Sequence, residues 1–177
     1  MLAFKAISVA ASGTIATWLT AVSPEPSTSL YFLVARGSGK CLQQSGATQN
    51  NGDQITQSTC INRPNFKLRK IEHDDGSFSL QFAHSGKCVN LASALLEDIL
   101  LGASGENGVV LLQWDCADRP NARWRSRTAS DGYMFLVSEA SGKCINLHDG
   151  TRSEGEAITQ WDCAQRPDMM WKLVPVQ

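Results

Sequence analysis

Apolar positions along this chain fall into short alternating runs rather than helical stripes. Phe135-Leu136-Val137, 143–147, 157–161 and 171–174 put a hydrophobic side chain at about every second position, and Gly, Pro, Asn and Ser separate them. Alternation of that kind between turn-forming residues predicts short strands that bury one face. One stretch departs from it: in 93–101, Leu95, Leu96, Ile99 and Leu100 follow helical spacing. It predicts a short helix or apolar loop packed on the strands, with a partner-facing or membrane-touching surface as the alternative.

The strand pattern is written three times. Ser38-Gly39-Lys40-Cys41, Ser85-Gly86-Lys87-Cys88 and Ser141-Gly142-Lys143-Cys144 are each followed downstream by Gln-x-x-Cys-x-x-Arg-Pro, beginning at Gln57, Gln113 and Gln160. Self-similarity at a period near fifty residues sets the architecture before any propensity is considered. First cysteines lie 47 and then 56 residues apart, and the pair within each copy spans 19, 28 and 19, so one insertion of nine between Leu91 and Gly108 accounts for both irregularities. Gly52, Gly108 and Gly155 each precede the second cysteine by eight residues, and Asp75-Gly76 and Asp131-Gly132 begin fifteen after it. Asp-Gly between apolar runs signals a hairpin. The third copy ends where its own Asp-Gly would fall, and the first begins at Tyr31 where such a turn would deliver it. The two ends therefore read as neighbours in a closed threefold ring of about four strands per copy, with repeats at about 31–76, 77–132 and 133–177.

Composition narrows the class. A chain of 177 residues, 42% hydrophobic, suits one cored domain. A net charge of -1 and a pI of about 6.3 give no basic field for nucleic acid or anionic lipid. Six cysteines at matching places read as Cys41–Cys60, Cys88–Cys116 and Cys144–Cys163. Cyclic pairings between repeats respect the same symmetry, but loop closure favours the local set. Zinc is a poor fit, because the cysteines are not clustered and no histidine recurs with the repeat. Disulfides require an oxidising compartment. Residues 1–21 supply a route as a signal peptide, with an apolar run over 6–22 and Leu19 and Ala21 as the small-residue cleavage signature. Residues 22–30, with Pro24 and Pro26, read as a flexible lead-in, and the expectation is a secreted protein with no membrane insertion, an uncleaved N-terminal anchor being the alternative.

Bridged cysteines bring two segments together, since their Cβ atoms lie about 4 Å apart. If the segments are antiparallel and the cysteines are partners, Asn146 faces Trp161 and Asn90 faces Trp114, on the same side as the bridge. An amide beside an indole suits a sugar ring, whose C–H face lies on the aromatic while its hydroxyls bond the amide. The alternative is that both tryptophans are packed strand aromatics. The first copy has Gln43 and Ser58 instead and loses the platform. Trp124 and Trp171, matched by Leu68, read as core because an apolar residue persists in all three copies. Arg63, Arg119 and Arg166 recur whether or not the platform is present and read as structural.

Gly-Lys-Cys, then Gln-Trp-Asp-Cys, then a further Trp, repeated in register, resembles the ricin B-type lectin family over residues 31–177. The resemblance implies an all-β β-trefoil: a six-stranded barrel capped by three hairpins, with one shallow sugar site per repeat. Position by position, it puts the family's sugar-binding carboxylate on Asn146, Asn90 and Gln43, its stacking aromatic on Trp161, Trp114 and Ser58, and its later polar ligand on Asp168, Asn121 and Asn65. An amide replaces the carboxylate in every copy, which removes a charge-assisted acceptor. The family's Gln-x-Trp becomes Phe66-Lys67-Leu68, Ala122-Arg123-Trp124 and Met169-Met170-Trp171.

The function expected is a non-enzymatic lectin that needs no cofactor, binds glycans or glycoconjugates in repeat three, and extends to repeat two at most. The insertion enters just before the repeat-two platform strand, which makes repeat three the first choice. The competing reading is a sugar-blind interaction protein, a protease inhibitor or toxin-delivery subunit. Catalysis has no support in the sequence: His73, His84 and His148 occupy non-equivalent positions, and each tryptophan has one neighbouring acid where glycosidase chemistry needs two flanking one bond.

Overall fold

The computed structural model describes residues 29–92 and 105–177. The expected signal peptide, most of the lead-in and the helical stretch 93–101 lie outside the described residues. Twelve short strands run through the rest: β1 Tyr31–Ala35, β2 Cys41–Gln44, β3 Ile55–Ser58, β4 Leu68–Glu72, β5 Phe78–Phe82, β6 Cys88–Leu91, β7 Leu111–Trp114, β8 Trp124–Thr128, β9 Met134–Ser138, β10 Cys144–Leu147, β11 Ile158–Trp161 and β12 Trp171–Pro175. Only single 3-10 turns interrupt them among the described residues, as the alternating pattern requires.

Six strands close into a barrel. The pairs β1–β12, β4–β5 and β8–β9 each run five residues, and single bridges at Tyr31–Leu68, Phe78–Trp124 and Met134–Trp171 join them into a ring. Tyr31 partners Pro175, so the first and last strands are neighbours. The Asp131-Gly132 turn has φ of 56° and 75°, the left-handed pair that a tight hairpin needs and that Asp-Gly adopts at low cost. The hairpins β2–β3, β6–β7 and β10–β11 cap one end, and bridges Gln54–Leu112, Val110–Thr159 and Ala157–Thr56 link them in a cycle.

Each residue of the repeated Ser-Gly-Lys-Cys has a job in the turn that leads from barrel to cap. The serine Oγ accepts from the lysine N–H at 3.2–3.3 Å. The glycine, at φ of 69–70°, sits where a Cβ would be strained. The lysine reaches a carboxylate, and the cysteine closes a disulfide within its own repeat: Cys41–Cys60, Cys88–Cys116 and Cys144–Cys163.

The core is built in threes. Leu33, Leu80 and Leu136 from the barrel meet Leu42, Val89 and Ile145 and then Ile55, Leu111 and Ile158 from the caps, all fully buried. Leu68, Trp124 and Trp171 complete the set. Both indoles are anchored, Trp124 Nε1 donating to Val89 O at 3.2 Å and Trp171 Nε1 to Ile145 O at 3.0 Å. These two tryptophans are core, as their apolar equivalent in repeat one implies.

The cap register differs from the one inferred from the cysteines. Cys144 pairs with Trp161 and Asn146 with Thr159; Cys88 pairs with Trp114 and Asn90 with Leu112. Cys163 and Cys116 lie two residues past the strand ends, where the chain bends back far enough for Cα–Cα distances of 5.0 and 4.9 Å. A disulfide can bridge diagonally in this way without its cysteines being strand partners. Asn and Trp therefore share a face but are offset by one pleat, with the amide deeper than the ring.

Candidate functional site

Side chains of the cap hairpins meet across repeat boundaries. In repeat two, Asp115 accepts from Lys87 Nζ at 2.5 Å and from Asn51 Nδ2 of repeat one at 2.7 Å, and its own N–H donates to Asn51 Oδ1 at 2.9 Å. Repeat three repeats the arrangement with Asp162, Lys143 and Asn107. In repeat one the acid has become Thr59, and Glu154 of repeat three stands where Asn51 and Asn107 stand. The partners have exchanged chemistry: Glu154 accepts from Lys40, from Ser58 Oγ at 2.6 Å, from Thr59 Oγ1 at 2.7 Å and from Thr59 N–H at 2.9 Å. Three clasps thus close the ring, each joining one repeat's loop to the next repeat's platform strand. The repeated Gln of Gln-x-x-Cys, fully buried, reinforces them: Gln113 donates to Asn50 O at 2.9 Å and Gln57 to Thr151 O at 2.9 Å.

These clasps charge the carboxylates. The Lys40, Ser58 and Thr59 donors hold Glu154 far below its ordinary value of 4.5, and Lys87 with Asn51, and Lys143 with Asn107, lower Asp115 and Asp162. Asp75, bonded by Ser77 and faced by Arg123 and Arg125, falls to about 2. Groups whose folded pKa is depressed contribute stability above their unfolded pKa and lose it as pH falls through the folded value. The melting temperature is therefore expected to decline as pH drops from near 4.5 toward 2. Glu154→Gln should flatten that decline, and an unchanged slope would show that the clasp contributes nothing.

The clasps also seat the platform rings. Trp114 lies against Gly52 of repeat one, where an added Cβ would sit 3.6 Å from Cζ3, and Trp161 lies against Gly108 at 3.7 Å. Both indoles keep an open face, Trp114 being 46% exposed and Trp161 36%. They are not core aromatics. Gly155 has nothing within 4 Å, because Ser58 offers no ring.

The three positions expected to bind sugar are brought together differently in each repeat. In repeat two, Asn90, Trp114 and Asn121 line one cavity of about 280 Å³, along with Ala92, Asp115 and Arg119. Asn90 is buried and donates to Cys88 O at 2.9 Å. In repeat three, Asn146 is buried, donates to Thr159 Oγ1 at 3.4 Å, and leaves Oδ1 without a hydrogen-bond partner. Asp168 there is buried and held by Arg166 at 2.6 and 3.1 Å, beneath a 3-10 turn, His148–Gly150, whose Gly150 would put a Cβ 3.8 Å from the Asp168 side chain. In repeat one, Asn65 donates to Gln43 Oε1 at 3.1 Å and Gln44 O at 2.9 Å, so its polar groups satisfy one another.

The difference has a local cause. Repeats one and three follow the first cap strand with a 3-10 turn, Ser45–Ala47 or His148–Gly150, packed on the second turn that carries Asn65 or Asp168. In repeat two the chain at that point, Ala92, leads into the insertion, and Ala92 itself lines the cavity. The recurrent arginines do not have one role: Arg166 pairs with Asp168, while Arg119 lines the cavity.

Six barrel strands and three disulfide-pinned capping hairpins define a β-trefoil. The chain belongs to the ricin-type β-trefoil lectin domain-like family, whose model matches residues 16–98, 99–161 and 120–177. Among solved structures it is similar to ThreeFoil, a designed threefold-symmetric protein, with 28% identity and a TM-score of 0.76 over 83% of this chain and 99% of that one. It is also similar to an exo-β-1,3-galactanase from Clostridium thermocellum, with 28% identity and a TM-score of 0.77 over 85% of this chain but only 31% of the enzyme. A ricin B-like lectin from Macrolepiota procera in complex with lactose shares the fold at 13% identity and a TM-score of 0.65, covering 81% of this chain and 93% of that one. No curated protein sequence matches the chain.

Proposed function

We propose that this chain is a secreted, non-catalytic lectin whose principal sugar site lies in repeat two. The observation that carries the reading is the cavity bounded by the open face of Trp114, the buried amide of Asn90 and the amide of Asn121. A pyranose stacked on the indole would place hydroxyls against both amides, each able to donate and accept. Repeat three retains a second candidate site in which Trp161 supplies the ring, with Asn146 buried beside it and its Oδ1 unpartnered. This order reverses the preference drawn from the sequence, because it is in repeat two that the three positions line one cavity.

A binding role suits the acids present. Asp115 and Asp162 are kept ionised by their lysines and asparagines, which makes them poor proton donors, and among the described residues no second carboxylate lines the repeat-two cavity beside Asp115. The neighbour bound to lactose supports a small-saccharide ligand. Residues 1–21 as a signal peptide would deliver the cysteines to an oxidising compartment.

Repeat one should be blind. Hydrogen bonds made by open, wet groups contribute only about 1 kcal/mol each, and Ser58 adds no apolar burial. Calorimetric titration with lactose, and with other small saccharides if lactose is silent, is expected to give at most two sugars per chain. A stoichiometry of three would contradict the requirement for an aromatic platform.

A further inference from the structure

We infer that the repeat-two site takes an anionic saccharide, one bearing a carboxylate or a sulfate next to the stacked ring. The inference rests on the lectin reading above and deepens it, and what carries it is a difference in charge between the corresponding positions of repeats two and three.

In repeat three the charges cancel. Lys143 pairs with Asp162, and Arg166 with Asp168 at 2.6 Å. In repeat two Lys87 pairs with Asp115 at 2.5 Å in the same way, but the position of Asp168 is held by Asn121. Arg119, the equivalent of Arg166, therefore loses its partner; it lines the cavity and makes no side-chain hydrogen bond or ion pair among the described residues. The acids nearest to it in the chain are committed elsewhere. Asp115 is held by Lys87 and Asn51, and Asp118 by Arg123 Nε at 2.6 Å.

Among the described residues the cavity thus presents one guanidinium without a carboxylate partner, together with an indole and two amides. A guanidinium offers a planar fork of donors that fits the paired oxygens of a carboxylate or sulfate, and a charge-assisted bond is about twice as strong as a neutral one. Arg63 of repeat one also lacks a carboxylate partner, but there Ser58 provides no ring and Asn65 is tied to Gln43. Only in repeat two do a free cation and a platform coincide among the described residues. The arginine is legible in the sequence as a repeated residue; its freedom is not, because that depends on the change from Asp168 to Asn121 two positions away.

The test compares a neutral disaccharide with its acidic derivatives: calorimetric titration of lactose, 3′-sialyllactose and 3′-sulfated lactose into the full chain at low salt. The acidic sugars are expected to bind about tenfold more tightly than lactose, a preference typical of one exposed charge-assisted contact. The two acidic arms report whether carboxylate or sulfate is the better fit. Arg119→Gln should bring the ratio of acidic to neutral affinity to about one, as should raising the salt to about 0.5 M, where the screening length falls below about 5 Å. Asn121→Asp should act likewise, by rebuilding the ion pair of repeat three. Equal affinity for lactose and both acidic sugars would overturn the inference while leaving the lectin reading in place. An acidic preference that survives in both variants would overturn it too. Binding of none of the three would count against both.

Discussion

Trp171→Ala is expected to destabilise the chain by about 3–5 kcal/mol, as large-to-small changes at fully buried aromatics do. The ring lies in the main core, and its loss would also strip the Ile145 carbonyl of its donor 3.0 Å away. For a domain of this size the corresponding fall in melting temperature is about 6–20 °C. Trp124→Ala should behave alike, since Trp124 occupies the same place in repeat two and bonds Val89 O. Thermal unfolding followed by circular dichroism checks both. A shift of no more than about 2 °C would mean that these rings are not structural, and the threefold core would need redrawing.

Trp114→Ala should do the opposite, removing binding at the repeat-two site while sparing the fold. Nearly half of the ring is exposed, and its packing against Gly52 touches the surface of the cap rather than the core. Covering its open face with a sugar buries apolar area on both sides, which at about 25 cal/mol per Å² contributes roughly 2 kcal/mol. Loss of that term weakens binding about thirtyfold, enough to push a shallow site beyond detection. Melting temperature and saccharide affinity should be measured on the same samples. A variant that unfolds like Trp171→Ala would mark Trp114 as a structural residue and remove the site with it.

Much of the fold is legible in the sequence because the chain is triplicated. Three copies of Ser-Gly-Lys-Cys and three of Gln-x-x-Cys define twelve strands, a closed ring and local disulfides without appeal to propensity. The core tryptophans are legible for the same reason, since Leu68 in repeat one shows that the position asks only for apolar bulk. What is not legible depends on contacts between copies. Strand register is one such feature: strand-partnered cysteines would put it two residues from the observed pairing, but Cys163 lies past the end of β11 and bridges diagonally. The clasps escape notice because Asn51, Asn107 and Glu154 act on the following repeat, so the exchange of Asn and Asp for Glu and Thr makes sense only once the ring is closed.

The site is half legible for a related reason. Asn90, Trp114, Asn121, Asn146, Trp161 and Asp168 are identifiable by position, but sequence cannot tell which set leaves room for a ligand. Repeat three keeps the better acid on paper, and the structure spends it on Arg166. Repeat two has only amides there, and that substitution leaves Arg119 without a carboxylate partner among the described residues.

The most direct measurement is a crystal structure of the chain soaked with a saccharide that binds in solution. Density for a sugar ring lying on Trp114, within hydrogen-bonding distance of Asn90 and Asn121, is expected at full or near-full occupancy, with repeat one empty. Sugar bound in repeat one against Ser58, or a repeat-two cavity left empty while sugar binds elsewhere, would contradict the assignment of the site.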